Sequence, residues 1–105
     1  MKRPHEKPRR TYDLEDVKRL AQNENFKIAK SALQDAASLG MLTECVIDVI
    51  LDLKLSDFHK SMTEHVSRNE IYLDVYHKEI ENFMLYIKFK ITNGDLLIIT
   101  SFKER

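Results

Sequence analysis

The sequence is poor in the residues that build several common kinds of functional site. Its 105 residues include one cysteine, so an internal disulfide is impossible and a reducing compartment is expected. With two glycines, no glycine-rich phosphate loop can form. No apolar run approaches the length that spans a bilayer, and the opening MKRPHEKPRR lacks the apolar segment of a secretion signal. We therefore expect a cytoplasmic protein without a membrane segment.

The charge of the chain is balanced overall but uneven along its length. A formal net charge of zero counts against a general nucleic-acid-binding domain, because such domains usually carry a strong excess of basic residues. Residues 43–81 hold nine Asp and Glu against four Lys and Arg, whereas both flanking segments are basic. The pattern indicates a local basic site rather than a basic surface.

Four histidines and one cysteine raise the question of a metal site. His59 and His65 are six residues apart, and no pair has the spacing typical of zinc ligands. Cys45 adjoins Val46 and Ile47, so we expect a buried thiol rather than a nucleophile. We expect neither a metal site nor a cofactor.

A hairpin is predicted at the C-terminus. Two alternating apolar segments, FMLYIKFKI and LLIITSFK, flank Asn93-Gly94, which favours a two-residue type I′ turn. Such a turn pairs Thr92 with Asp95 and fixes the register of both strands. One face is then predicted to be apolar and buried, and its members are Phe83, Leu85, Ile87, Phe89, Ile91, Leu96, Ile98, Thr100 and Phe102.

The opposite face of this hairpin is predicted to be polar and open. It carries Tyr86, Lys88 and Lys90, and it places Lys103 opposite Met84, diagonally next to Tyr86. An open face that holds an anion or phosphate accounts for this composition. Two alternatives stay open, since the lysines could be edge-strand charges that prevent aggregation and Tyr86 could be a packed aromatic with its hydroxyl at the rim.

The rest of the chain is predicted to contain helices first and strands later. Residues 1–10 are predicted to be a mobile basic arm, and residues 11–105 a single domain. Predicted elements are helices over Asp13–Ala21 (capped by Asp13), Ser31–Gly40 (capped by Ser31) and Thr43–Leu53 (capped by Thr43), a helical turn over Ser56–His59, and strands over Phe26–Ile28 and Glu70–Tyr76. The order predicts an α+β domain whose N-terminal helices pack on one face of an antiparallel sheet of about three strands that ends in the hairpin.

Several segments resemble those of the motility quorum-sensing regulator toxins. They are LSDFHKSMT, IYLDVY, LYIKF and the terminal SFKER, together with SALQDAASLG and the KRPH start, in the family's order and spacing. The resemblance covers nearly the whole chain. It implies a RelE-like α+β fold, metal-independent cleavage of mRNA, and inhibition by an antitoxin protein, as in type II toxin–antitoxin systems.

The resemblance also implies a set of catalytic positions. The family's first lysine falls on Lys60, its tyrosine on Tyr86 and its last lysine on Lys103. Its glutamine falls on Leu73, which cannot form hydrogen bonds. The aromatic position before the first lysine, often tyrosine in the family, is His59, which adds a potential proton shuttle.

These positions suggest a mechanism and leave one rival open. Single-stranded mRNA is the expected substrate, cut by attack of a 2′-hydroxyl on the adjacent phosphorus to give a 2′,3′-cyclic phosphate. His59 and Lys88 are expected to be additional RNA contacts. The rival is a non-catalytic module that binds RNA or protein on the same face, a lapsed toxin homologue suggested by Leu73.

Overall fold

The computed structural model describes residues 5–64 and 71–105. Within them the chain forms three α-helices, one 3₁₀ turn (Leu55–Asp57) and six strands. In chain order the elements are β1 (Glu6–Lys7), α1 (Leu14–Gln22), β2 (Phe26–Ile28), α2 (Lys30–Ser38), α3 (Thr43–Leu51), β3 (Phe58–Thr63), β4 (Tyr72–Ile80), β5 (Phe83–Thr92) and β6 (Leu96–Glu104). No helix in these two ranges is long and apolar enough to cross a membrane.

The six strands form one sheet in the order β1-β3-β4-β5-β6-β2. Neighbouring strands are antiparallel except β2, which runs parallel to β6. The predicted α+β class is confirmed, with helices packed on the sheet and a C-terminal hairpin. The predicted strand count was too low, because β1 and β3 lack apolar alternation and form through pairing with their neighbours. The predicted strand Glu70–Tyr76 corresponds to the first part of β4, and its residue 70 lies outside the described residues.

The core lies between the helices and one face of the sheet. Apolar side chains at helical spacing in α1 and α3 meet alternating side chains of β4, β5 and β6. Each fully buried Leu, Ile or Phe stabilises the fold by about 1.5–3 kcal/mol relative to exposure. The fully buried set includes Val17, Leu20, Val46, Ile50, Leu53, Tyr76, Leu85, Ile87, Phe89, Leu97, Ile99 and Phe102.

Two helix ends follow the predicted chemistry. The Asp13 side chain accepts the backbone N–H of Glu15 at 2.9 Å and caps α1. Gly40, just beyond the end of α2, has φ +78°, and the N–H of Met41 there bonds to the carbonyl of Ala36 at 2.9 Å. This left-handed glycine closure is the one that the sequence predicts.

Other local predictions were wrong. Ser31 and Thr43 lie inside α2 and α3, neither of which has a side-chain cap. The helical turn predicted to reach His59 stops at Asp57, because the chain there joins β3 and pairs with β4. Cys45 is exposed, since it lies on the outer side of α3 while its neighbours at core spacing turn inward.

The β5–β6 turn contains three residues rather than the predicted two. Thr92 pairs with Leu96, and the N–H of Asp95 donates to the carbonyl of Thr92 at 3.2 Å. Asn93 and Gly94 adopt positive φ values of 56° and 73°, which these two residue types tolerate. The extra residue shifts the register by one.

That one-residue shift exchanges the two faces of the first half of β6. Leu97 and Ile99 lie in the core, whereas Leu96 and Ile98 face the opposite side. The prediction that Leu96, Ile98 and Thr100 belong to the core was therefore wrong. Side-chain alternation alone could not choose between the registers, because 96–99 are four consecutive apolar residues.

A bulge in β6 shifts the pairing register of the second half of the strand by one further residue. Thr100 is an extra residue opposite the junction of Lys88 and Phe89 on β5. Beyond it, the pairing differs from the predicted register by two residues, which restores the predicted face. Lys103 consequently pairs directly with Tyr86. The predicted proximity of these two side chains is confirmed, through a different register.

A buried carboxylate fastens the N-terminal segment to the sheet. Asp74 is 0% exposed and accepts the backbone N–H of Thr11, at 3.0 Å to each oxygen, and that of Tyr12 at 2.9 Å. The hydroxyl of Thr11 lies 2.7 Å from that of Ser61 on β3. These bonds fix the chain between β1 and α1. Thr11 directly follows residues 1–10, the predicted mobile arm. Residues 1–4 of that arm lie outside the described residues.

Replacing this carboxylate should destabilise the whole fold. Asp74→Ala leaves the part-buried N–H groups of Thr11 and Tyr12 without their acceptor, so the free energy of unfolding should fall by about 2–4 kcal/mol. Urea unfolding measures it, with Asp35→Ala, an exposed aspartate of α2, as the control expected to change by less than about 0.5 kcal/mol. Equal effects of the two substitutions would contradict the anchoring role.

Candidate active site

The sheet face opposite the core carries two neighbouring rows of side chains that run across β3, β4, β5 and β6. Cross-strand pairing gives the first row as Lys60, Val75, Lys88 and Ser101. The second row consists of His59, His77, Tyr86 and Lys103. Partners within a row stand about 5 Å apart and the rows lie about 7 Å apart, so the eight residues form one surface, here called the two-row face.

A bulge brings His59 into the second row. Phe58 and Lys60 pair with consecutive residues of β4, so His59 is the extra residue between them. Its imidazole stacks on that of His77, with ring centroids 4.1 Å apart and an interplanar angle of 22°. The irregularity therefore re-aims a side chain that a regular strand would place elsewhere.

The second row is continuous from β3 to β6. The His77 ring lies 5.8 Å from the Tyr86 ring. On the other side, the Nζ atom of Lys103 lies 5.5 Å from the centroid of the same tyrosine, a cation–π contact. Two imidazoles, a phenol and an ammonium thus follow one another in a line.

The first row holds two cations on either side of a buried valine. Val75 is fully buried between Lys60 and Lys88, although it lies on the face opposite the core. Burial lowers the pKa of Lys88 from its usual value, and the charges of Lys103 and Lys60 lower it further, against an opposing effect of Glu64. Lys88 therefore lies within electrostatic reach of lysines on both sides.

Carboxylates neutralise some of these cations and not others. The Nζ atom of Lys60 lies 2.6 Å from Oε2 of Glu6, a pair 30% and 51% exposed. Such exposed pairs contribute about 0–1 kcal/mol to stability. Within residues 5–64 and 71–105, no carboxylate forms an ion pair with Lys88 or Lys103. The two-row face thus keeps positive charge that an anion could neutralise.

His77 is the member of the face that the sequence analysis missed. The predicted strand ended at Tyr76, but β4 continues to Ile80, which pairs with Phe83 across a two-residue turn. Burial lowers the pKa of His77, and the nearby charges of His59, Arg105 and Lys60 add to the effect. Apolar alternation stops at Tyr76, since residues 77–79 are all polar, so the sequence did not indicate that the strand continues.

The position of the family's glutamine is filled by an apolar side chain. Leu73 pairs with Met62 and is 1% exposed, so it offers no polar group to a ligand. It lies on β4 four residues from His77, about 13 Å along the strand. His77 therefore adds a group at a different place and does not substitute for the glutamine.

Comparison with known proteins identifies the family. A family model described as "Motility quorum-sensing regulator, toxin of MqsA" matches residues 9–104. The chain belongs to this family. A relative from Escherichia coli K12, named mRNA interferase toxin MqsR, is 37% identical over 92 residues that cover 88% of this chain and 91% of the relative. The family predicted from the sequence is confirmed, and with it the endoribonuclease class of its members.

The lowered pKa of His77 predicts a pH dependence of stability. As the pH falls below about 6.5, the unfolded chain protonates this histidine before the folded chain does, so folding loses stability in the acid direction. Between about pH 7.5 and pH 5, the free energy of unfolding measured in urea should fall less in His77→Gln than in the wild type. An equal fall in the free energy of unfolding of both proteins would contradict the lowered pKa of His77.

Proposed function

We propose that this protein is the toxin of a type II toxin–antitoxin system and that its domain, residues 11–105, cleaves single-stranded mRNA at the two-row face. The reaction needs no metal in this proposal: a 2′-hydroxyl attacks the adjacent phosphorus and leaves a 2′,3′-cyclic phosphate and a 5′-hydroxyl. The observation that carries the proposal is the convergence of Lys60, Tyr86 and Lys103 on one face from three different strands.

The cations of the face match the charge that develops during this reaction. The pentacoordinate phosphorane carries more negative charge than the substrate phosphate, and fixed cations stabilise it most strongly. We assign Lys60 and Lys103 to this role, with Lys88 between them. Tyr86 is assigned to positioning the phosphate, because the ammonium of Lys103 lies over its ring.

The Glu6 carboxylate marks where an anionic oxygen can bind. Its oxygen stands 2.6 Å from the ammonium of Lys60, the distance of a charge-assisted hydrogen bond to a phosphate oxygen. A phosphate would have to displace Glu6 to reach the same position. Because both partners are partly exposed, breaking their ion pair costs little free energy.

The shape and composition of the face favour single-stranded RNA. Unstacked bases bind to exposed aromatic rings, and stacking contributes about 1–3 kcal/mol per base. Exposed His59 and half-buried Tyr86 offer such rings beside the lysines.

The direct test is cleavage by the purified protein in the presence of EDTA, followed by mapping of both new RNA ends. We expect cuts with a 2′,3′-cyclic phosphate on one product and a 5′-hydroxyl on the other. RNA that is bound and left intact would favour the non-catalytic module, for which the buried Leu73 is the structural argument. Cleavage that EDTA abolishes would contradict the metal-independent mechanism.

Single substitutions should separate chemistry from folding. Lys60→Ala, Lys103→Ala and Tyr86→Phe should each lower the cleavage rate, by about 10²-fold for a lysine that stabilises the phosphorane. Their thermal stability should change by less than about 0.5 kcal/mol, since all three side chains are partly exposed. Lys30→Ala, on the helical side, is the matched control expected to keep full activity. Unchanged cleavage in all three variants would refute the site.

We also propose an antitoxin partner, in keeping with the family description. Two surfaces could receive it. Within the described residues, β2 is a three-residue edge strand whose one neighbour is β6, so its outer backbone groups can accept an added strand. The acidic segment 43–81 is the alternative, and would suit a basic partner. β2 pairs with Leu97–Ile99 of the hairpin edge, so among the described residues β6 is open to an added strand at its C-terminal end.

Co-expression tests the partner. The product of the adjacent reading frame should co-purify with this chain, bury roughly 1,200–2,000 Å² or more, and suppress RNA cleavage. Ile28→Pro within β2 should weaken the complex if strand addition forms it, because proline removes an N–H that points away from β6, the strand to which the backbone of Asn25 and Ala29 bonds. Expression of the chain alone without slowed growth would contradict both the toxin function and the need for a partner.

A further inference from the structure

Two histidines stand together at the centre of the proposed site, and the family's catalytic positions include neither of them. The imidazoles of His59 and His77 stack at 4.1 Å, beside Lys60 in one direction and Tyr86 in the other. Cleavage of RNA by its own 2′-hydroxyl requires one group that takes a proton and another that gives one. The lysines and the tyrosine supply charge and position, whereas histidine is the side chain that titrates near neutral pH.

The surroundings of this pair favour a state in which one of the two imidazoles is protonated and the other is neutral. Two imidazolium ions in stacking contact would repel each other, and the second proton is therefore disfavoured. Burial, then the charges of His59, Arg105 and Lys60, favour the neutral form of His77. The titratable and charged groups around His77 are His59 and Lys60 on β3, Tyr86 and Lys88 on β5, Lys103 and Arg105 at the end of the chain, and Glu79 on β4 itself.

We propose that His59 and His77 are the proton-transfer pair of RNA cleavage, with His77 as the general base and His59 as the general acid. The assignment rests on the proposed function of the two-row face. His77 is the more enclosed ring, next to Tyr86, where the reacting phosphate would be held. His59 is exposed on its bulge, where a departing RNA strand would lie.

The step balances without a further reactant. Neutral His77 takes the proton of the 2′-hydroxyl, and the 2′-oxygen forms a bond to phosphorus. The bond between phosphorus and the 5′-oxygen breaks, and that oxygen takes the proton of protonated His59. The pair ends with its proton on the other ring, and exchange with water restores the starting state.

Three variants, two substrate RNAs and one unreactive control RNA test the assignment. The variants are His77→Gln, His77→Phe, which keeps a ring for stacking but cannot transfer a proton, and His59→Gln. One RNA contains the mapped cleavage site. The other carries sulfur in place of the departing 5′-oxygen, and this thiolate leaves without a proton. Binding to a control RNA with 2′-deoxyribose at the cut site, which cannot react, separates affinity from chemistry.

The proposal predicts a distinct pattern of loss and rescue. Each variant should cut ordinary RNA about 10²–10⁴-fold more slowly while binding the deoxy control as tightly as the wild type. The sulfur-containing RNA should restore most of the rate of His59→Gln and none of the rate of either His77 variant. The wild-type pH–rate profile should be bell-shaped, with its acid limb absent in His77→Gln and its alkaline limb absent in His59→Gln.

Other outcomes overturn the assignment and distinguish it from the proposed function. An active His77→Phe would mean that the ring stack, not proton transfer, is what His77 contributes. Wild-type rates in both glutamine variants, with Lys60→Ala still impaired, would remove the histidine pair and leave the ribonuclease site intact. Absence of cleavage by the wild type would refute the proposed function, and this inference with it.

Discussion

The pairing register of β5 with β6 is the constraint on which the candidate site depends. A shift of one residue turns every side chain of a strand to the other face of the sheet. Without the Thr100 bulge, the three-residue turn would carry Lys103 to the core side and Phe102 to the open side. Two local irregularities thus compensate each other, and together they set Lys103 beside Tyr86.

A second bulge, on β3, also directs a side chain onto the two-row face. The bulge at His59 gives the strand one residue more than its partner and turns that residue toward His77. Both bulges lie in strands that flank the central pair β4–β5, which is regular throughout. The regular strands supply the buried framework together with His77 and Tyr86, and the bulges aim His59 and Lys103 beside them. Bulges beside functional sites are a common way to aim such groups.

The sequence predicts the parts of this fold that depend on local chemistry. Asp13 capping α1 and Gly40 closing α2 act within a few residues, and both were predicted correctly. The strands β1 and β3 were not predicted, because they form only through pairing between distant segments. His77 was missed for a related reason, since it titrates differently only when β3 and β5 are packed beside it.

The two-row face is electrostatically costly, which is itself an argument for a ligand. Burial lowers the pKa of Lys88, and the charges of Lys103 and Lys60 lower it further, so its ammonium destabilises the folded chain unless an anion binds there. Glu6 relieves the repulsion at Lys60 alone. Conversely, Asp74 is fully buried and serves structure, because its oxygens are taken by the N–H groups of Thr11 and Tyr12.

The central claim is that RNA binds across the two-row face. The most direct measurement is an NMR titration of the protein with a single-stranded oligonucleotide that has 2′-deoxyribose at the cut site. The account predicts that the ring resonances of His59, His77 and Tyr86 shift together, while those of core aromatics such as Phe102 stay in place. Shifts confined to the helical side of the sheet, with these three rings unaffected, would contradict it.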